Sequence, residues 1–558
     1  MARFNRQQLK SATRAEIQRD AAELTVRRLA PWQQACGAVM VRPTWETEKV
    51  YRPHQATFAR DCARDSKTEL FLLAVANMAG QETFYEAAMA RDIRFSQLVR
   101  QHALLDPEWT VGLLRWLRNA GGMRAASLVG AAVFARARQA EGLHGYSREA
   151  VSAVLQRPDE PGEFMHHWIS RYGRKLPMPV KRGVADAVRR LYTGRALLKY
   201  DTPSAAFRFG DVLELTHPSP DPERPWQAAV FRYALDRRRH PAQAMPPADS
   251  ELLVAHHALM SMPVASRRAV VASPDAASVL AAAGMTWESL AGWLHGPMDA
   301  AAWEAVIPSM GAMALVRNLR NFDQAGISEA AVATVTRRLS DPAEVVRSRQ
   351  FPFRFLSAHR HADTARWGAA LEAALGHSLG NVPALPGKTL ILVDRSDSMF
   401  WAGEGQTELT RADAAALFGT ALALRSETAD LVEFGTGSRR VDPDPRDSLL
   451  TTVGRFTECG GTNTAFAVKQ HYKGHDRVVI ITDEQAFGAP KDVLAPIPND
   501  VPVYTWNLVG YAQGHTSGPR RYTLGGLSDA AFRLIPLIEA GDTARWPWGC
   551  GDGDRVHV

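Results

Sequence analysis

The feature that most constrains the fold of this chain is a change of pattern near residue 385. Before it, apolar residues recur at helical spacing in one segment after another, and alternating strand patterns are nearly absent. The clearest of these segments are 69–79, 95–105, 108–120, 125–140, 181–200, 251–262, 302–322 and 330–339. Helices of this length joined by short turns predict an α-helical repeat solenoid of stacked, HEAT-like helical pairs.

After the Pro- and Gly-rich segment 381–388, the pattern becomes one of strands alternating with helices. Apolar, β-branched segments occur at 388–394, 430–435, 476–484 and 501–510, and an amphipathic helix is expected at 410–427. This alternation predicts an α/β domain with a doubly wound parallel sheet. We therefore predict two domains, a helical one over 1–383 and an α/β one over 384–558.

Charge is divided unequally between these two regions. Residues 1–385 carry 49 Lys and Arg against 37 Asp and Glu, a net charge of +12, whereas the remainder has a net charge of −5. A basic helical region suggests a polyanionic partner, although an ordinary basic surface is the alternative.

Other features of the chain point to a cytoplasmic protein without a membrane anchor. No apolar run approaches the roughly 20 residues of a membrane helix, and no secretory signal is visible. The four cysteines (Cys36, Cys62, Cys459 and Cys550) form no CxxC pair, which fits a reducing compartment.

Residues ILVDRSDSMF (391–400) place three oxygen-bearing side chains at alternate positions where a strand ends: Asp394, Ser396 and Ser398. A hard cation such as Mg²⁺ prefers such oxygen ligands. Thr462, in a GGT loop, and Asp483, at the end of another strand, supply further candidates at the same sheet edge. The sequence predicts a divalent-metal site, the alternative being a turn in which Asp394 and Ser396 cap the next helix.

The pattern Asp-x-Ser-x-Ser, then Thr, then Asp resembles the metal-ion-dependent adhesion site of von Willebrand factor A domains, and the resemblance covers 384–558. It implies that one coordination position is left open for an oxygen from a partner. Many relatives have Asp after the Thr, where this chain has Asn463, so the metal affinity is expected to be altered. Asp397, between the two serines, is expected to point away from the metal.

The helical region resembles the N-terminal TROVE domain of the Ro autoantigen family. The similar stretches, all in the order of the family, are ETFYE (82–86), GMRAA (122–126), VKRGVADAVRRLYTGRALLKY (180–200), DVLELTHPSP (211–220), MALVRNLRNF (313–322) and FPFRFLSA (351–358). The resemblance implies a closed helical ring whose ends the A domain joins. It also implies binding of single-stranded 3′ ends of misfolded noncoding RNA in the ring, and of Y RNA on its outer surface.

The same resemblance suggests which side chains contact RNA. The Y RNA surface would include Lys199 and His217, with Arg208 between them in a segment of altered length. Lys181 and Arg182 lie on the preceding basic helix, where a solvated helix face is the alternative. Arg317 and Arg320 are expected either in the ring interior or against structural carboxylates.

These observations favour a monomeric, non-enzymatic RNA-binding scaffold that works with small Y-like RNA and, by resemblance to bacterial relatives, alongside an exoribonuclease. No HExxH motif, nucleophile elbow or Cys/His constellation appears, so we identify no catalytic residue. One alternative is an A-domain subunit of a metal chelatase or AAA-type machine with protein-binding helices. Another is a metal-dependent RNA hydrolase, which the lack of an evident general base disfavours.

Overall fold

The computed structural model describes residues 66–76, 88–400, 410–444, 447–483, 493–508, 520–525 and 529–542, together with Trp546 and Trp548. The motif at 82–86 lies outside these residues, as do Cys36, Cys62 and Cys550. The remaining cysteine, Cys459, is a free thiol.

The predicted helical region is confirmed, and its helices are short and closely spaced. They are α1 (Ser66–Ala76), α2 (Ala88–Leu105), α3 (Pro107–Asn119), α4 (Arg124–Ala140), α5 (Ser147–Val154), α6 (Glu160–Tyr172), α7 (Met178–Leu191), α8 (Gly194–Tyr200), α9 (Phe209–Thr216), α10 (Trp226–Arg239), α11 (Glu251–Met260), α12 (Val264–Val271), α13 (Ala276–Ala282), α14 (Trp287–Leu294), α15 (Ala300–Val306), α16 (Ala312–Ala325), α17 (Glu329–Leu339), α18 (Pro342–Ser348), α19 (Pro352–His361) and α20 (Thr364–Ser378). Alternate helices pack on one another, so that α3, α5 and α7 form one layer and α2, α4 and α6 form the other.

Two segments that we predicted as single helices are each divided in the structure. The segment 181–200 breaks between α7 and α8, where the Thr193 hydroxyl caps the new helix by accepting a hydrogen bond from the Ala196 N–H. The segment 302–322 breaks at a 3₁₀ turn, Ile307–Ser309, that contains Pro308. Proline cannot donate the backbone hydrogen bond that a continuous helix needs.

The α/β domain contains a six-stranded sheet. Its strands are β1 (Leu385–Asp394), β2 (Ser426–Phe434), β3 (Ser438–Arg440), β4 (Arg477–Thr482), β5 (Val503–Asn507) and β6 (Arg521–Gly525), and its helices are α21 (Arg411–Arg425), α22 (Leu449–Val453), α23 (Thr464–His471) and α24 (Leu534–Asp542). The sheet order is β3-β2-β1-β4-β5-β6. All pairs are parallel, as predicted, except that the short edge strand β3 runs antiparallel to β2.

The central strand β1 is covered on both faces, which explains its uninterrupted apolar sequence. Ile391 and Val393 join the core that contains α21, whereas Leu390 and Leu392 join the core that contains α23. Gly419 of α21 lets the helix approach closely, because a Cβ there would lie 2.6 Å from Val393 Cγ2. This packing fixes the position of the C-terminal end of β1 relative to α21.

The α/β domain contacts both ends of the described helical series. At the C-terminal end, Phe532 stacks on Phe351 with the ring centroids 5.5 Å apart. At the N-terminal end, helix α24 packs on α1, and the Arg533 guanidinium donates a 2.6 Å hydrogen bond to the Ala120 carbonyl. Arg533 also lies 5.3 Å from the Phe351 ring centroid, so one side chain bridges the two ends and the helical series is closed into a ring.

Trp546 and Trp548 add a second aromatic contact at the N-terminal end. The two rings stack on each other and pack against Phe71 and Trp109 at centroid distances of 5.2–6.1 Å. A side chain at Gly112 of α3 would overlap the Trp548 ring. Within the described part of the chain, no helix is long and apolar enough to cross a bilayer.

The contact at Gly112 gives a test of the closure. We expect Gly112→Ala to lower the melting temperature although alanine favours a helix by about 1 kcal/mol, because its Cβ displaces Trp548. Gly376→Ala, in helix α20, is the matched control: no atom lies within 4 Å of its added Cβ, and we expect it to be neutral or stabilising. The measurement is thermal unfolding of both variants and of Gly112→Ala in a Trp548→Ala background. If Gly112→Ala is equally harmful without Trp548, the proposed contact is wrong.

Candidate metal and RNA sites

The first loop of the candidate metal site follows directly from the end of β1. The Asp394 side chain is fully buried, and its Oδ1 accepts a 2.9 Å hydrogen bond from the Ser396 backbone N–H. A 3₁₀ turn, Asp397–Phe400, then carries Ser398, whose hydroxyl oxygen lies 3.2 Å from that of Ser396. The turn therefore gathers Asp394, Ser396 and Ser398 on one side of the loop, and Asp397 is exposed to solvent.

Backbone hydrogen bonds hold a second loop, which contains Thr462, against the first. The Cys459 N–H donates to the Arg395 carbonyl at 2.8 Å, and the Asp397 N–H donates to the Gly460 carbonyl at 2.9 Å. Gly460 has a φ of +74°, a conformation that glycine adopts without strain. Thr462 is only 5% exposed beside this contact.

The third contribution comes from the end of β4. Strands β1 and β4 are parallel neighbours, and Val393 of β1 lies opposite Ile481 of β4. The next residues, Asp394 and Thr482, therefore meet at the edge of the sheet where both strands end. The Thr482 hydroxyl donates a 2.5 Å hydrogen bond to Asp394 Oδ2. Asp483 follows and is fully buried. Sequence analysis did not identify Thr482 as part of the site, although the register of the two parallel strands could have indicated it.

The buried carboxyl of Asp394 has a perturbed pKa. Burial raises the pKa of Asp394 to about 6, hydrogen bonds from Thr482 and Ser396 oppose the shift, and the nearby charge of Asp483 adds to it. Two buried carboxylates at one point are unfavourable unless a cation or a proton balances them.

The donor set fits a hard divalent cation. Asp394 and Asp483 would supply carboxylate oxygens and Ser396, Ser398 and Thr462 hydroxyl oxygens, all ligand types that Mg²⁺ accepts. No group of three or more His, Cys, Asp or Glu side chains that could hold a metal occurs among the described residues. A thiolate- or imidazole-dependent metal such as structural zinc is therefore a poor match for this site.

Two neighbours of the site have structural tasks. The Asn463 side chain caps α23 by accepting a hydrogen bond from the Phe466 N–H at 3.1 Å. Arg395 is buried, with its Nε donating to the Thr457 carbonyl and its guanidinium 4.6 Å from the Phe400 ring centroid. Both side chains stabilise the loops that carry the candidate ligands.

The candidate RNA-contacting residues Lys199 and His217 are exposed. Lys199 ends α8, with its ammonium 5.3 Å from the Tyr200 ring centroid. His217 follows α9 in a left-handed conformation, with a φ of +48°. Neither side chain forms an ion pair with an acidic residue in the described part of the chain.

Lys181 is half-buried on α7 and Arg182 beside it is exposed. Arg317 and Arg320 are both exposed on α16. The sequence predicts that these two arginines face either the ring interior or a structural carboxylate, and among the described residues neither forms an ion pair. Their charges are therefore available to a ligand.

Arg208 differs from the other candidates because the fold uses its charge. Its guanidinium forms a 2.6 Å ion pair with the buried Asp201, and a further donor reaches the Arg237 carbonyl at 3.3 Å. Only 15% of its side chain is exposed. Arg208 thus anchors the start of α9, and its contact with RNA stays a prediction.

Comparisons with known proteins agree with this architecture. The TROVE domain model matches residues 283–367. Telomerase protein component 1 of Mus musculus is 46% identical and that of Rattus norvegicus 44% identical over 66 residues, which are 12% of this chain and 2% of each relative.

A solved structure shares the fold over almost the entire chain. The crystal structure of the Deinococcus radiodurans Ro (Rsr) protein has a TM-score of 0.65 and 20% sequence identity, covering 86% of this chain and all of that one. The TROVE match and the shared fold agree with the motif resemblance along the helical region: the chain contains a segment similar to the TROVE domain and has the fold of the Ro protein structure.

Proposed function

We propose that this protein is a non-enzymatic RNA-binding scaffold. The observation that carries the proposal is a TROVE segment within a helical region whose net charge is +12. Lys199, Arg182, Arg317 and Arg320 are exposed cations that have no acidic partner among the residues that the structure describes, and they support the proposal, since phosphate contacts supply most of the affinity of such proteins for RNA. In the finer form of this proposal, the ligands are small Y-like RNA and single-stranded 3′ ends of misfolded RNA, and an exoribonuclease acts beside the scaffold.

The A domain has a separate role in this proposal. Asp394, Ser396, Ser398, Thr462 and Asp483 would hold Mg²⁺, and the bound ion would accept an additional oxygen from a partner molecule. The site consists of A-domain residues alone, whereas the exposed cations lie on the helical region. RNA affinity and metal affinity are therefore expected to be separable.

The first test is whether the purified protein prefers a hairpin RNA with a single-stranded 3′ tail over the same hairpin with a blunt end. We expect tighter binding of the tailed RNA. The logarithm of the association constant should fall linearly with the logarithm of the salt concentration, because binding releases counterions from the RNA. Fluorescence anisotropy at several salt concentrations measures both quantities. Equal affinities would contradict binding of 3′ ends, and no binding at low salt would favour a protein-binding role for the helices.

A second test concerns Lys199 and His217. Replacing both with Ala removes two exposed donors to phosphate. We expect the pair together to contribute about 1.5–3 kcal/mol, the free energy of one charge-assisted hydrogen bond, and hence a tenfold to hundredfold loss of affinity for a stem-loop RNA. A free 3′ tail should lose much less. Lys388→Ala, which removes an exposed cation from the A domain, is the control. Equal losses for both RNA types would mean a single shared surface.

The metal site is tested by Asp394→Asn. We expect this variant to lose binding of Mg²⁺ or Mn²⁺ in isothermal titration while RNA binding stays near normal, because a buried carboxylate ligand is removed and the helical region is untouched. Asp397→Asn changes an exposed carboxylate in the same loop and should bind metal normally. A loss of RNA binding on chelation, or metal-dependent RNA cleavage, would show that the two activities are not separate.

A further inference from the structure

A groove of about 590 Å³ crosses the layer formed by α3, α5 and α7. Its lining includes Arg115 from α3, Arg148 from α5, Arg190 from α7 and Tyr146 at the start of α5, together with two carboxylates, Glu149 and Asp186. We propose that this groove binds one nucleotide of single-stranded RNA, with the base stacked on Tyr146 and the phosphate held by Arg148 and Arg190. The inference rests on the proposed RNA-binding function and adds a site to it.

Tyr146 is an unusual residue for its position. Its backbone has φ 59° and ψ −32°, a conformation that residues with a Cβ rarely adopt and that glycine adopts without strain. The buried Arg138 guanidinium packs 5.4 Å from the ring centroid, yet 39% of Tyr146 stays exposed at the groove. Strained residues of this kind occur preferentially at ligand-binding sites. The packing on Arg138 holds the ring in place before a base arrives.

Arg190 is the fixed cation of the groove. Its guanidinium donates to the Ser152 hydroxyl and to the Ser152 and Leu155 carbonyls, at 2.8–3.1 Å. These hydrogen bonds use three of its five N–H donors, and among the described residues no carboxylate lies within ion-pair distance of it. The charge is thus positioned by neutral acceptors, and donors remain for an anionic ligand.

Arg115 and Arg148 have partners that a ligand could replace. Arg148 forms a two-point ion pair with Asp186 at 2.6 and 2.7 Å, and Arg115 pairs with Glu149, with about half of each arginine side chain exposed. Exposed ion pairs contribute little to stability. Exchanging one for a phosphate, which also accepts two parallel N–H bonds, therefore costs little.

An exposed aromatic ring beside arginines fits a nucleotide better than an anion that has no ring to stack. The volume lies within the range of small-ligand sites. Single-stranded RNA is generally bound by aromatic rings that stack on bases beside cations that contact the backbone. A duplex cannot offer an unstacked base, so the groove would distinguish tails from stems.

The decisive variant is Tyr146→Gly, because glycine suits the backbone conformation and the fold should be kept or stabilised. We expect about a tenfold loss of affinity for a hairpin with a single-stranded 3′ tail, with the blunt hairpin unaffected. Tyr146→Phe restores the ring and should recover the affinity. Trp226→Ala removes an aromatic side chain of similar exposure, 38%, as the control. Arg190→Gln should weaken tail binding as Tyr146→Gly does.

A direct readout is photocrosslinking of a tail that contains 4-thiouridine, followed by mass spectrometry of the crosslinked peptide. We expect a crosslink at Tyr146 in the wild-type protein. If the wild type prefers tailed RNA but Tyr146→Gly binds it equally well and no crosslink falls in the groove, this inference is wrong and the proposed function stands. If the wild type shows no preference for tailed RNA, the proposed function itself fails.

Discussion

The stacked rings of Phe351 and Phe532, with Arg533 against them, form the junction on which the closed architecture depends. Phe532 also contacts Phe418 of α21 at a centroid distance of 4.7 Å, so the junction is continuous with the core of the sheet. Arg533 extends it to the Ala120 carbonyl, 413 residues away in sequence. The loop entropy of so distant a contact must be offset by packing. The α/β domain consequently acts as the closing element of the ring, and its stability is coupled to that of the helical region.

Positive charge in the helical region has two different uses. Some arginines stabilise buried carboxylates: Arg118 and Arg124 both donate to Glu160, which is fully buried, and Arg208 does the same for Asp201. Others, such as Lys199 and Arg317, lie on the surface without an acidic partner among the described residues. Only the second group can contact phosphates and release counterions from a nucleic acid. The net charge of the sequence is therefore larger than the number of cations available for RNA binding.

The candidate metal site is assembled mainly by the backbone. Adjacent parallel strands bring Asp394 and Thr482 together, and the Asp397 and Cys459 N–H groups fasten the loop of Thr462. Because these hydrogen bonds do not involve the candidate ligand oxygens of Ser398 or Thr462, the loops are held in place independently of any ion. Because the loops are already ordered, less conformational entropy is lost when a metal ion binds.

The sequence by itself determined the two-domain fold, because helical periodicity before residue 385 and buried strands after it are local patterns. It also predicted which residues lie at the strand ends, since parallel strands end at a common edge. Tertiary structure alone decided the pairing of Arg208 with Asp201, the Thr482 hydrogen bond and the groove at Tyr146. Each of these depends on contacts between side chains of different helices, strands or loops. A periodic sequence pattern shows which face of an element is buried, but not which residues of another element it contacts.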